Sequence, residues 1–313
     1  MSKALQSPLP MRDGVNPSCV FLPKAEWPDL LSFLLERFQY MEAEVIKQRL
    51  QAGEMVTQSG QVLNLHSPYM PETLIWYYRE VPNEPVVPFE IEILHQDEHL
   101  LVVDKPHFLA TTPGGKYLQQ TVLTRLRKAL NNPAISPIHR LDKDTAGVLV
   151  FCLDADSRGL YQSLFQQGRI QKIYEAVAPS PQGADWHWPL RRRSRIDHSA
   201  NYFRMCEVQG PANSETVITL LRRGPRYSLY QLQPLSGKKH QLRVHMNALG
   251  LPLCNDSYYP QLLPEQKEQD FSKPLQLLAK HIAFVDPITA QFRQFTSRRH
   301  LSMQALCDCR PSV

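Results

Sequence analysis

The chain has little cysteine: Cys19, Cys152, Cys206, Cys254, Cys307 and Cys309 are the six in 313 residues, and no two are spaced as C-x-x-C. So scattered, they argue against a disulfide scaffold and a zinc knuckle, and for reduced thiols. No apolar run approaches the roughly 18 residues that a membrane-spanning helix needs. The opening stretch, MSKALQSPLPMRDG, lacks an apolar signal core. These absences predict a soluble, cytoplasmic protein without membrane contact. Repeats of fixed period, low-complexity tracts and heptads are missing as well, which excludes solenoids and coiled coils.

What is present is ordinary in bulk and uneven in detail. Apolar residues make up 42% and charged residues 21% of the chain, as in a globular protein of one large or two smaller domains. The net charge of +5 is modest, but the cations cluster. Arg191, Arg192, Arg193 and Arg195 form one group; Arg222, Arg223 and Arg226, Lys238 and Lys239, and Arg298 and Arg299 form others. Such clusters suit an anionic partner such as nucleic acid if the fold brings them to one face, and suit a plain solvated surface if it does not. Trp186, Trp188, Tyr202 and Phe203 interleave with the first group, a mixture able to stack on unpaired bases or to foot an exposed loop.

Residues 1–24 read as a proline-bearing tail. Apolar stripes then predict helices over Leu30–Phe38 and Glu42–Gln51, and Met55–Thr57 with Gln61–Leu63 predict a small hairpin. Pro82, Pro85 and Pro88 mark a linker, which divides a unit at 25–82 from a larger one at 91–300, with 83–90 between them and a tail at 301–313. The larger unit opens on two strands, Ile91–His95 and His99–Val103. Further strands are expected at Val148–Leu153, Ile173–Ala178, Glu215–Leu221, Tyr227–Leu232 and Ala279–Val285, and helices at Thr121–Leu130, Ser157–Gln167 and Gln241–Leu249. Strands dominate without a sustained βαβ alternation, so the fold class is α+β around a largely antiparallel sheet.

Two stretches carry chemistry. In HRLDKDTAGVLVF, His139 to Phe151, the carboxylates of Asp142 and Asp144 and a glycine at Gly147 imitate the start of a calcium loop. Ala146 and Leu153 stand where ligands belong, so calcium is not expected. Asp142 then reads either as a turn residue or as a carboxylate that Arg140, two residues away, keeps ionised. In SGKKHQLRVHMNALG, Ser236 to Gly250, Lys238, Lys239 and His240 crowd a helix start in the manner of a phosphate site or of a solvated basic end. His240 and His245 are five apart, a poor spacing for zinc on a helix.

Taken in order, four motifs resemble the RluA-type RNA pseudouridine synthases over roughly Ile91 to Thr296. HRLDKDTAG is similar to the family's HRLDxxTSG, KIYEAV to its KxY strand, SGKKHQLRVHMNALGLPLCNDSYY to its GRxHQIRVHxxxxGxPIxGDxxY stretch, and ILHQDEHLLVVDKP to its usual opening. The residues at 25–82 resemble, more thinly, the ribosomal-protein S-four RNA-binding unit. The likeness implies the pseudouridine synthase fold, with a mixed sheet flanked by helices, and conversion of a flipped-out uridine in ribosomal or transfer RNA to pseudouridine. It implies a catalytic set of Asp142, Tyr174 and Arg243. Substrate contacts would fall to Arg140, His139, Lys172, Lys239, His240 and Gln241, with phosphates tracked by Arg191–Arg195. No cofactor or metal is implied, and the enzyme would act as a monomer. Three departures stand out: Ala146 replaces the Ser of TSG, Lys238 and Lys239 stand in GRTHQ, and Leu278 replaces the histidine of LHA. A degenerate, non-catalytic RNA-binding relative and a glycoside hydrolase are the competing readings, though Asp144 alone offers no well-spaced second carboxylate.

Overall fold

A computed structural model describes residues 6–39, 41–183, 186–200, 204–264 and 270–307. Tyr202, Phe203 and Cys309 therefore lie outside the described residues. The chain divides into two compact units, Met1–Glu84 and Pro85–Val313. No helix among the described residues is long and apolar enough to cross a membrane.

The first unit holds β1 (Ser18–Phe21), α1 (Leu30–Arg37), α2 (Ala43–Gln51), β2 (Met55–Thr57) and β3 (Leu74–Tyr77). Helix α1 begins where the Asp29 carboxylate accepts from the Ser32 backbone N–H, an N-cap bond. Leu30, Phe33 and Leu34 close over Ile46 and Leu50 of α2 and Ile75 of β3 to make a core. One expectation changes. Strand β1 lies inside the stretch read as a tail. Strand β2 pairs along its length with β3, in a three-stranded antiparallel sheet ordered β1-β3-β2, and the expected hairpin contact with residues 61–63 is present beside it as a short antiparallel bridge at Val62, with Thr57 N donating to Gln61 O and Leu63 N to Met55 O. Residues 1–84 carry ten carboxylates against seven lysines and arginines, a net −3, so the excess positive charge of the chain belongs wholly to residues 85–313 at a net +8.

The second unit is built on one sheet of eleven strands. They are β4 (Glu92–Gln96), β5 (Leu100–Lys105), β6 (Ser136–Pro137), β7 (Ala146–Cys152), β8 (Gln171–Pro179), β9 (Leu190–His198), β10 (Met205–Val208), β11 (Ser214–Arg223), β12 (Tyr227–Pro234), β13 (Leu277–Val285) and β14 (Phe292–Thr296). Their order is β10-β9-β11-β12-β8-β13-β7-β5-β4, with β14 on β13 and β6 on β7. All pairings in it are antiparallel except that of β13 with β7. Helices α3 (Val122–Ala129), α4 (Arg158–Gln166) and α5 (Gln241–Ala248) flank it, and a 3-10 turn at Gln304–Cys307 packs Cys307 into the core beside Leu229 and Leu301. Strands β9, β10 and β14 escape a reading by apolar pattern. Strand β9 is RRRSR in sequence and looks like a charged loop, yet its pairing with β11 is regular from Leu190 to Ser194.

The parallel pairing of β13 and β7 is only two residues long, Leu278 with Ala146 and Ala279 with Gly147. Here Gly147 has φ +113, and a Cβ on it would sit 2.2 Å from the Ala279 carbonyl oxygen. Both the dihedral and the close backbone approach demand glycine. Gly147→Ala is expected to destabilise by about 3 kcal/mol or more, since it combines left-handed strain with overpacking against backbone. A thermal melt within a degree or two of the parent would contradict that.

Candidate active site

The segment Leu141–Asp144 leads into β7, and four successive backbone carbonyls in it are held. Leu141 O accepts from Thr111 Oγ1 at 2.8 Å, Asp142 O from Thr145 N at 3.1 Å, Lys143 O from Lys105 Nζ at 2.9 Å and Asp144 O from His107 Nδ1 at 2.7 Å. Lys105 lies at the end of β5, and the segment after it supplies His107 and Thr111. Burial pushes the Lys105 ammonium down to about 7, while two further carbonyls, Pro106 O and Leu109 O, bring its acceptors to three, matching the three N–H donors of the ammonium. Burial likewise pushes His107 down to about 4, so its neutral ring donates through Nδ1.

On this fixed backbone the Asp142 carboxylate faces the first turn of α5. Its Oδ2 accepts from Arg243 Nη1 at 3.3 Å and lies 3.7 Å from His240 Nε2. Arg243 is 2% exposed and its other edge is clamped: Nε donates to Asp256 Oδ2 at 2.8 Å and Nη2 to Asp256 Oδ1 at 2.6 Å. Asp256 is fixed in turn by the backbone N–H groups of Tyr258 and Tyr259, at 2.8 and 3.1 Å. The result is a carboxylate–guanidinium–carboxylate line in which the inner pair is buried and bidentate and the outer carboxylate keeps 34% of its side chain open. Burial acts to raise the pKa of Asp142, but His240 and Arg243 outweigh it and hold the group below its usual 3.8. Burial pushes His240 itself down to about 4, so at neutral pH the charge that holds Asp142 ionised is that of Arg243.

Tyr174 of β8 lies in register with Ala279 of β13 and Leu232 of β12 and packs against two of the apolar clusters of the unit. Burial, and then the charge of Asp142, push its hydroxyl well above the usual range, so the ring stays neutral. Asp142, Arg243, His240 and Tyr174 are thus brought together, as the sequence predicts. Arg140 is exposed, with no hydrogen bond or ion pair among the described residues, and Lys239 is exposed just ahead of α5.

The remaining predicted contacts are placed differently. His139 accepts from Val150 N through Nε2 and stacks on Phe165 at 4.7 Å; burial pushes it down to about 3. Gln241 is buried, with its amide taken up by Ser236, Lys238 N, Glu215 O and Thr216. Both residues serve the scaffold: His139 Nε2 and both amide atoms of Gln241 are matched inside the protein. Lys172 lies half-buried, 6.0 Å over the Phe165 ring. The arginine run is split by the pleat of β9. Arg192, opposite Thr216, turns toward α5 and is bound by Glu207, whereas Arg191 and Arg193 pair with Glu215 and Arg195 with Asp197 on the other face. An unbroken phosphate track over residues 191–195 is therefore corrected to two differently facing, largely ion-paired sets.

Sequence reasoning missed Asp256 and the carbonyl clamp. Asp256 stood within the quoted NDSYY match but its role depends on a contact with Arg243, 13 residues earlier in the chain. Two of the departures from the family pattern prove to be one. Ala146 and Leu278 are register partners in the β13–β7 pairing and share an apolar cluster with Val177.

The family model for RNA pseudouridylate synthase matches residues 99–248. The dual-specificity RNA pseudouridine synthase RluA of Haemophilus influenzae is 30% identical over 227 residues, which cover 69% of this chain and 96% of that protein. The chain belongs to the RluA-type RNA pseudouridine synthases. An RNA pseudouridine synthase of Synechocystis, 28% identical, covers 74% of this chain and 79% of its own. Among solved structures, human RNA pseudouridylate synthase domain containing 1 shares the fold, with a TM-score of 0.54 at 23% identity over 69% of this chain and 86% of that one. This RluA-type synthase is accordingly an isomerase that converts uridine in RNA to pseudouridine.

Proposed function

We propose that Asp142 is the carboxylate that acts on the ribose of a uridine extruded from a ribosomal or transfer RNA. The observation that carries this is the Asp142–Arg243–Asp256 line. It ends in an ionised oxygen left partly open while the groups behind it are buried and matched. In the reaction the bond from C1′ to N1 breaks, a bond from C1′ to C5 forms, C5 loses its proton and N1 gains one. Arg243 keeps Asp142 charged and aimed. Tyr174 packs beneath the uracil and, as a neutral phenol, is suited to pass the proton from C5. Arg140, exposed and unpaired, fills the space that the flipped nucleotide leaves. Lys239 and the net +8 of the second unit hold the phosphate backbone, so binding weakens steeply with salt. The enzyme acts as a cytoplasmic monomer.

The test is incubation of the purified protein with ribosomal and transfer RNA from cells lacking this gene, followed by mapping of pseudouridine. One or a few uridines in either RNA should convert, and conversion of none would overturn the reading. The rate also carries a pH signature. Because the pKa of Asp142 is depressed, the group remains ionised as pH falls through 3.8, and initial rates should decline only when pH passes the lower folded-state value. A decline centred at 5 or above would assign the activity to another group.

A further inference from the structure

Tyr258 falls within the NDSYY stretch, at a position that the family pattern leaves open. Its ring centroid lies 4.8 Å from the Arg243 guanidinium carbon, and its edge meets the His240 ring at 5.2 Å. Its own backbone N–H is one of the two that fix Asp256. The Tyr259 ring centroid lies 5.5 Å from the same carbon, so two aromatic rings stand close to the Arg243 guanidinium. The two tyrosines differ in what their hydroxyls do. Tyr259 Oη is fully engaged with the Met205 backbone and His240 Nδ1. Tyr258 is half-buried, and its hydroxyl has no hydrogen-bond partner among the described residues. Burial, and then the charge of Asp144, push that hydroxyl above its usual range.

We propose that Tyr258 is a positioning residue for the reaction, its ring covering the Arg243 guanidinium that holds Asp142 and its unused phenol offering a hydrogen bond to the RNA beside the reacting nucleotide. This rests on the reading that Asp142 is the acting carboxylate. The ring and the hydroxyl act by separable effects. A guanidinium on an aromatic face is attracted to it, more strongly when the pair is desolvated. Water admitted at that face would screen the charge that keeps Asp142 ionised. A neutral hydroxyl that makes no internal bond contributes nothing to the fold, so its hydrogen-bonding capacity is available to a ligand.

Two variants separate the parts. Tyr258→Phe keeps the ring and removes the hydroxyl; kcat should stay near the parent value while KM for RNA rises by about threefold to tenfold. Tyr258→Leu removes the ring; kcat should fall by about tenfold, and the acid limb of the rate profile should move up by about one pH unit. The carboxyl titration of Asp142, followed by 13C NMR in protein labelled at aspartate, should move up in step in the leucine variant and stay put in the phenylalanine variant. A leucine variant whose kcat falls while both titrations stay unchanged has lost packing alone, which overturns the proposal; so does a phenylalanine variant with parental KM and kcat together with an unaltered leucine variant. If the parent protein converts no RNA, the function assigned above fails, and the NMR titration still decides whether Tyr258 governs the carboxylate.

Discussion

Replacing Asp142 with asparagine is expected to leave a folded protein that binds RNA and forms no pseudouridine. The amide is nearly the same size and can still accept from Arg243 Nη1, which lies 3.3 Å from Oδ2 in the parent. It carries no charge to attack or stabilise the sugar, so the single-turnover rate should fall at least about a thousandfold. The fold should tolerate the change for two reasons. The side chain is partly open, and the loop is held by its carbonyls through Thr111, Lys105 and His107, none of which touches the carboxylate. RNA affinity measured by gel shift should lie near the parent value. A purified asparagine variant that converts uridine at an appreciable rate would remove Asp142 from the chemistry.

The second large effect falls on stability. Arg243→Met is expected to abolish turnover and also to destabilise the second unit. From sequence alone, the arginine reads as a partner of Asp142 near a helix start, and its loss would then change the melt little. The structure reverses that, because Arg243 is buried against Asp256, whose side chain is itself shut off from solvent. Removing one member of such a pair strands the other charge, at about 3–5 kcal/mol. For a unit of this size that corresponds to a fall in melting temperature of about 10 °C. The paired change Arg243→Met with Asp256→Asn removes the stranded charge and leaves an amide oxygen to accept from Tyr258 N and Tyr259 N. It should regain a good part of the lost stability and none of the activity. A double variant no more stable than the single one would mean that the guanidinium contributes by packing and not by charge.

These two cases mark where the sequence is legible. Asp142, Tyr174 and Arg243 can be singled out because each sits in a short local pattern whose spacing survives. The helices were readable for the same reason, as in α3, where Thr121 caps the first turn and Val122, Leu123 and Leu126 face the core. Strand β9 was not, because the arginines at 191–193 fall on both faces and hide its alternation: the inward Arg192 is satisfied by Glu207, while only Leu190 and Ile196 of that side pack against apolar clusters. Asp256 and the Lys105, His107 and Thr111 contacts were not, because their meaning lies in which carbonyl or guanidinium they meet across 4 to 38 residues of chain. His139 misled in the other direction. Its place beside Arg140 suggests substrate, but Arg140 is exposed while the His139 ring stacks on Phe165. The one that faces inward was taken up by Val150 N.

The four held carbonyls of residues 141–144 bear on which uridines are chosen. A reactive group on a backbone already locked in place need not be organised when the nucleic acid arrives. Little free energy is then drawn into ordering the enzyme, and the deformation is left to the other molecule, which must surrender stacking and pairing around one nucleotide. On the proposed role of Asp142, selection among uridines of identical chemistry is expected to follow how readily each can be unstacked, with hairpin tips and bulges converted ahead of uridines held inside a continuous helix.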